Sequence, residues 1–280
     1  MAINLDLVGQ ELKEVEHPYT WKDVVLYHLG IGARATELQY VYENVKGGLK
    51  VIPTFSVIPS LAAMATQVIG SLGANPMMLL HGEQGIFMNK PIPQKGTFKT
   101  TPEVKGIYDK GKGALVAIET RTTDESGEEL FRNYISLFCR GEGNFGGERG
   151  PEQPSYDPPE GKAPDFEDSY KTSEDQAALY RLSGDLNPLH IDPNFAKVGG
   201  FDRPILHGLC TFGIVCKLLV KGLCEDEPSR VKEYKARFSK PVMPGDTITA
   251  KAWKLEDGTY AVQAFTQENQ VMNQAYIKVE

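Results

Sequence analysis

The two halves of this chain repeat one another, and that limits what it can fold into. Leu26-Tyr27-His28-Leu29 matches Leu179-Tyr180-Arg181-Leu182, and Lys90-Pro91 with Thr97 matches Lys240-Pro241 with Thr247, in the same order and about 150 residues apart. Thr54-Phe55, ahead of one apolar segment, echoes Thr211-Phe212 inside a second. Between the copies, Gly141 to Pro164 is rich in Gly, Pro and charge, the composition of a linker with no core of its own. The expected division is a first unit over 1–140, a linker over 141–164 and a second unit over 165–280.

Within each unit the pattern predicts a short helical stretch, then an almost wholly apolar helix, then several strands. In the second unit the apolar helix is predicted over Leu209 to Val220, apolar nearly all round and therefore enclosed. The strand candidates after it are K-E-Y-K-A-R-F-S, T-I-T-A-K-A-W-K-L, Y-A-V-Q-A-F-T-Q and V-M-N-Q-A-Y-I-K-V, with Asp257-Gly258 as a hairpin turn. In the first unit, Val51 to Gly82 contains no Asp, Glu, Lys or Arg. Pro53, Pro59, Gly70, Gly73 and Pro76 break it into pieces too short for a membrane span, so a buried helix over about Pro59 to Ile69 is the better reading. A helix wrapped by a curved antiparallel sheet is a hot-dog unit. Two in tandem make an α+β double hot-dog with its sheets joined edge to edge.

The stretch that carries chemistry is Y-R-L-S-G-D-L-N-P-L-H-I-D-P-N-F-A, Tyr180 to Ala196. Pro188 and Pro193 forbid a continuous helix, and Ser-Gly-Asp and Asn-Pro form turns. Asp185, Asn187 and His190 are therefore presented on one bent loop, a carboxyl beside an imidazole, as acid–base work on a bound water requires. Carried onto the first unit, Asp185 falls opposite Gly32, with no counterpart of Asn-Pro-Leu-His after it. The first unit is then scaffold and pocket, and the second carries the chemistry.

A net charge of −7 gives no general attraction to nucleic acid or anionic membrane, so an anionic ligand needs a local basic patch. Cys139, Cys210, Cys216 and Cys224 form no Cys-x-x-Cys pair and read as reduced thiols of an intracellular protein. Gly141 to Gly146 fits the G-x-G-x-x-G dinucleotide pattern but leads into proline-rich sequence instead of a helix, so that reading fails.

The loop motif, together with G-F-D-R-P-I-L-H-G-L-C-T-F-G after it, L-H-G-E-Q in the first half and K-A-R-F-S-K-P-V-M-P-G in the second, resembles the (R)-specific 2-enoyl-CoA hydratases. These are the hydratase 2 members of the MaoC-like group, which include the hydratase portions of peroxisomal multifunctional enzymes. The resemblance covers essentially the whole chain. It implies reversible syn hydration of trans-2-enoyl-CoA to (R)-3-hydroxyacyl-CoA in fatty acid β-oxidation. It places catalytic roles on Asp185 and His190, a supporting role on Asn187 and the oxyanion donor on Gly208. Substrate contacts fall on His81, Gly82, Lys110, Leu186 and Phe238. No metal and no cofactor is expected, because coenzyme A is part of the substrate. A homodimer is expected, in the peroxisome, although the chain ends without a targeting tripeptide; the alternative compartment is the cytoplasm.

Alone, Asp185 would read as a turn residue and His190 as a satisfied core histidine; the full motif reverses both. His207 is read as structural, His17 and His28 as surface or packing residues. Lys110 is the main candidate for a phosphate contact to coenzyme A, with Lys232, Lys235 and Arg237 as weaker ones. The rival readings are an acyl-CoA thioesterase, a dehydratase of carrier-protein substrates and an inactive acyl-CoA-binding module. Thiol release, carrier preference and binding without turnover would mark them respectively.

Overall fold

The computed structural model describes residues 3–256, 258–267 and 269–280. Asp257, half of the predicted Asp-Gly turn, lies outside the described residues. Ten antiparallel strands form one sheet: β1 Val15–Tyr19, β2 Leu79–Met88, β3 Gly96–Asp109, β4 Gly113–Thr123, β5 Glu129–Arg140, β6 Phe166–Lys171, β7 Val231–Phe238, β8 Thr247–Lys254, β9 Thr259–Phe265 and β10 Gln270–Val279. Their order is β1-β3-β4-β5-β2-β7-β10-β9-β8-β6. Read outward from the β2–β7 pair, each half repeats the same sequence of strands. The repeat in the sequence is thus a repeat in space, and β2 against β7, from Glu83↔Arg237 to Phe87↔Glu233, is the seam. This is the double hot-dog.

Each half opens with an edge strand, β1 or β6, that the helix-first reading missed. Val15–Tyr19 carries Pro18, which an edge strand tolerates, and both strands alternate exposed and covered residues, with Glu16, Glu167 and Lys171 on the exposed side. Among the described residues six α-helices accompany the sheet: α1 Trp21–Gly30, α2 Leu38–Val41, α3 Val57–Ala63, α4 Gln176–Tyr180, α5 Pro193–Val198 and α6 Gly208–Leu223. Helix α6 contains the predicted apolar run; Leu209 through Val220 are all buried, packed on β6, β7 and β8. Lys217 is tolerated there because its ammonium reaches Glu37 of the first half at 2.7 Å.

The first unit's helix starts at Val57, earlier than expected, and widens into a π-type turn over Met64–Ile69. The Thr66 hydroxyl donates to the Ala62 carbonyl at 2.8 Å, the kind of back-bond that opens a helix. The four cysteines are buried free thiols. No described helix is long and apolar enough to cross a membrane.

Segment 141–164 is pinned at several points. Asp109 accepts hydrogen bonds from the Asn144 and Gly146 amides at 2.9 Å each, Lys235 reaches Gln153 at 3.1 Å, and Tyr156 stacks on Tyr276 with centroids 4.1 Å apart. Two amides of the Gly141–Gly146 pattern, those of Asn144 and Gly146, thus face a carboxylate of the protein itself.

One hydrophobic cluster spans both halves, and a second lies within the first half. Through the spanning cluster runs a column of rings in successive contact: His190, His207, Tyr180, Tyr27, Phe55, Phe98 and Phe131.

Candidate active site

The loop over 184–192 is built from three turns, each set by a local rule. Gly184 takes φ +131°, a conformation other residues avoid, and turns the chain after α4. Asp185 Oδ1 accepts the Asn187 amide at 3.2 Å. Asn187 Oδ1 then accepts the Leu189 amide at 3.1 Å and caps a 3₁₀ turn over Pro188–His190, and Asp192 caps α5 in the same way. Each cap precedes a proline that needs no amide partner. The loop thereby ends with His190 buried and Leu186 exposed beside Asp185.

His190 Nδ1 lies 2.9 Å from the Ile205 carbonyl. A carbonyl only accepts, so Nδ1 carries the proton and Nε2 keeps its lone pair. Burial pushes His190 below the ordinary histidine range, against the pull of Asp185. Burial likewise raises Asp185, against the influence of His190 and the Asn187 amide. The two groups share one environment and titrate as a pair.

His207 lies directly behind them. Its Nε2 is 3.2 Å from the Asp185 carbonyl and its ring lies on His190 with centroids 3.8 Å apart and planes 30° apart. Donor atoms of Asp185, His190 and His207 come within 4.8 Å of one another. The set does not suit a metal ion. Imidazole lone pairs lie in the ring planes, and two stacked planes do not converge on one ion.

Gly208 is the first residue of α6, so its amide is free of intrahelical bonds and carries the helix-start partial charge. A Cβ there would lie 3.5 Å from the Phe238 ring, an ordinary contact. Packing alone therefore does not demand glycine. Phe238, at the end of β7, also meets the His81 ring edge-on at 5.4 Å. His81 is held by the Glu83 carbonyl at 3.1 Å, and burial, partly offset by that bond, lowers it to about 4. Gly82 follows at a β-bulge between β2 and β5.

The structure thus brings Asp185 and His190 together and places Gly208 against Phe238 and Phe238 against His81. Asn187 does not reach into the site through its oxygen, which is used as a cap. Lys110 stands apart at the β3–β4 turn, its ammonium donating to the Arg149 carbonyl. The weaker phosphate candidates are engaged elsewhere: Arg237 and Lys235 hold the buried Glu83 at 2.7 and 3.3 Å, and Lys232 pairs with Glu280 at 2.9 Å. Sequence reading set His207 aside. The available signal was its place immediately before the oxyanion candidate.

The first half has no such loop. Instead the Tyr170 ring of β6 comes against Gly32, the position opposite Asp185.

A family model described as the MFE-2 hydratase 2 N-terminal domain matches residues 17–141, and one described as the MaoC-like domain matches 156–275. A probable enoyl-CoA hydratase 2 of Dictyostelium discoideum is 42% identical over 265 residues, which is 93% of this chain and 90% of that protein. The peroxisomal multifunctional enzyme type 2 of Drosophila melanogaster is 39% identical over 88% of this chain but only 43% of its own length. The crystal structure of a MaoC-like dehydratase from Phytophthora capsici superposes with a TM-score of 0.90 at 32% identity, covering 99% of this chain and 98% of that one.

Proposed function

Because this chain belongs to the MaoC-like family that carries an MFE-2 hydratase 2 N-terminal domain, we propose that it adds water to trans-2-enoyl-CoA to give (R)-3-hydroxyacyl-CoA. The observation that carries this reading is the pairing of a half-buried Asp185 with a buried His190 whose Nδ1 is held by a carbonyl, which leaves the Nε2 lone pair free. An α,β-unsaturated thioester is already electrophilic at Cβ. It needs an activated water, a proton for Cα and a donor to its carbonyl oxygen, and no covalent nucleophile.

Water held between the two groups gives its proton to His190 Nε2 as its oxygen bonds to Cβ. The double-bond electrons move to the thioester oxygen, which accepts a hydrogen bond from the Gly208 amide. Cα then takes a proton from Asp185, whose raised carboxyl retains one more readily than an exposed one, and His190 returns its proton to Asp185. Both additions come from the dyad side, so hydration is syn. Asn187 holds the loop that carries both groups. Exposed Leu186, with Phe238 and His81-Gly82, forms apolar contacts along the acyl thioester, and Lys110 meets the coenzyme A phosphates.

In this reading the catalytic half is residues 165–280, while 1–140 supplies a wall through Ile58, which packs at Gly184. The peroxisomal relative supports a peroxisomal location. A homodimer rests on family resemblance and is tested by sedimentation.

The deciding assay incubates the protein with trans-2-decenoyl-CoA and follows loss of the enoyl-thioester absorbance, with chiral analysis of the product. (R)-3-hydroxydecanoyl-CoA from the native protein and almost none from Asp185→Ala is the expected result. An (S) product or no turnover overturns it, and free thiol release would point to thioester hydrolysis.

A further inference from the structure

His207 links three parts of the site that come from different elements. It stacks on His190, it contacts the backbone carbonyl of Asp185, and its own peptide leads into the Gly208 amide. We infer that His207 is a positioning residue: its neutral ring fixes the plane of the His190 imidazole and ties the Asp185 turn to the start of α6. The inference rests on the hydration reading above for its catalytic consequence.

The geometry leaves His207 one protonation state. Its Nε2 faces a carbonyl, so that nitrogen carries the proton. Its Nδ1 is buried with no hydrogen-bond partner among the described residues. Tyr180 also packs against the ring, with centroids 5.0 Å and planes 53° apart, so the ring has two aromatic neighbours. A second proton would place a cation against His190 inside a buried stack. Burial first, then His190 and Arg181, accordingly hold His207 far below the ordinary range, to about 2. A fixed neutral neighbour also excludes water from one face of His190, which keeps the base uncharged near neutral pH. A misplacement of an ångström in such a constellation costs up to about a hundredfold in rate.

The test combines ring NMR of the five histidines with kinetics on the full chain. In the native protein His207 should carry its proton on Nε2 and stay neutral from pH 8 to pH 5. His207→Phe keeps a ring and loses the donor; His207→Gln keeps a donor and loses the ring. Each folded variant should lose roughly ten- to a hundredfold in kcat with KM changed less than about twofold. In His207→Gln the His190 titration should move up towards its ordinary value, and the acid limb of the kcat/KM profile should move with it. A merely structural histidine would lower the yield of folded protein without moving either profile. The inference is overturned if native His207 carries its proton on Nδ1 or titrates near the ordinary value. It is equally overturned if both variants keep native kcat and an unmoved His190 titration. Absence of hydration by the native protein would instead defeat the proposed function, and the NMR would still decide the positioning claim.

Discussion

The ring of Tyr170 occupies the space a side chain on Gly32 would need: its Cζ lies 2.4 Å from where a Cβ would stand. Gly32 also holds φ +83°. A residue of the second half thus fills the position in the first half that corresponds to Asp185. Gly32→Ala should destabilise the fold by about 1–3 kcal/mol through the left-handed backbone alone, and more through the clash. Denaturant unfolding measures it, and Tyr170→Ala in the same chain should recover the clash component only.

Removing either member of the dyad should separate chemistry from folding. Asp185→Asn and His190→Gln are each expected to lower kcat by about 10²–10⁴-fold while leaving the melting temperature nearly unchanged. Single-turnover rates with trans-2-decenoyl-CoA report the first quantity and calorimetry the second.

Gly208→Ala distinguishes an oxyanion donor from a packing glycine. The new methyl would meet Phe238 at ordinary contact distance, so stability should hold. It would crowd the approach to the amide, so kcat should fall by about 10²–10³-fold. Native activity in a folded Gly208→Ala protein would remove the amide from the mechanism.

The dyad sets the acid side of the activity profile. Burial lowers His190, so the base stays unprotonated below the pH at which a free histidine would charge. The fall of kcat/KM on acidification should therefore begin below about pH 6.5, the free-histidine value. A midpoint above that value contradicts the buried, neutral base.

Acid should also unfold the protein through a histidine far from the dyad. His28 is fully buried between the Tyr40 carbonyl at 2.7 Å and the Ile52 amide at 3.1 Å, and burial lowers it to about 4. Its folded value lies below its unfolded one, so the unfolded chain binds the extra proton. Its contribution is present in full above about pH 6.5 and is lost as pH falls towards 4, at up to about 1.4 kcal/mol per pH unit. The slope of unfolding free energy against pH should be shallower in His28→Gln over that window.

Much of this was legible before any coordinates, for reasons specific to each element. The α6 helix announced itself because its burial is complete, leaving an unbroken apolar run. The catalytic loop did so because turn chemistry at Gly184, Asn187-Pro188 and Asp192-Pro193 is local. Strands β1 and β6 did not, because each is short and covered on one side only, with Pro18 or several charged residues among its few positions. The π-type turn at Met64–Ile69 left no mark in composition, since it depends on a hydroxyl finding a carbonyl. Lys235 and Arg237 read as free cations because Glu83, their partner, is far away in sequence and meets them only across the seam. His207 looked structural for a related reason: its neighbours His190 and Asp185 reach it only when the loop folds back on α6.

The ring column from His190 to Phe131 has a bearing on the chain's history. An ancestral single unit would have met its twin across an interface that could come apart. Here the stack passes through Tyr180 of one copy and Tyr27 of the other, and the catalytic imidazole lies at one end of it. Gene fission at the linker would release two fragments, each with a severed aromatic face and neither with a whole pocket.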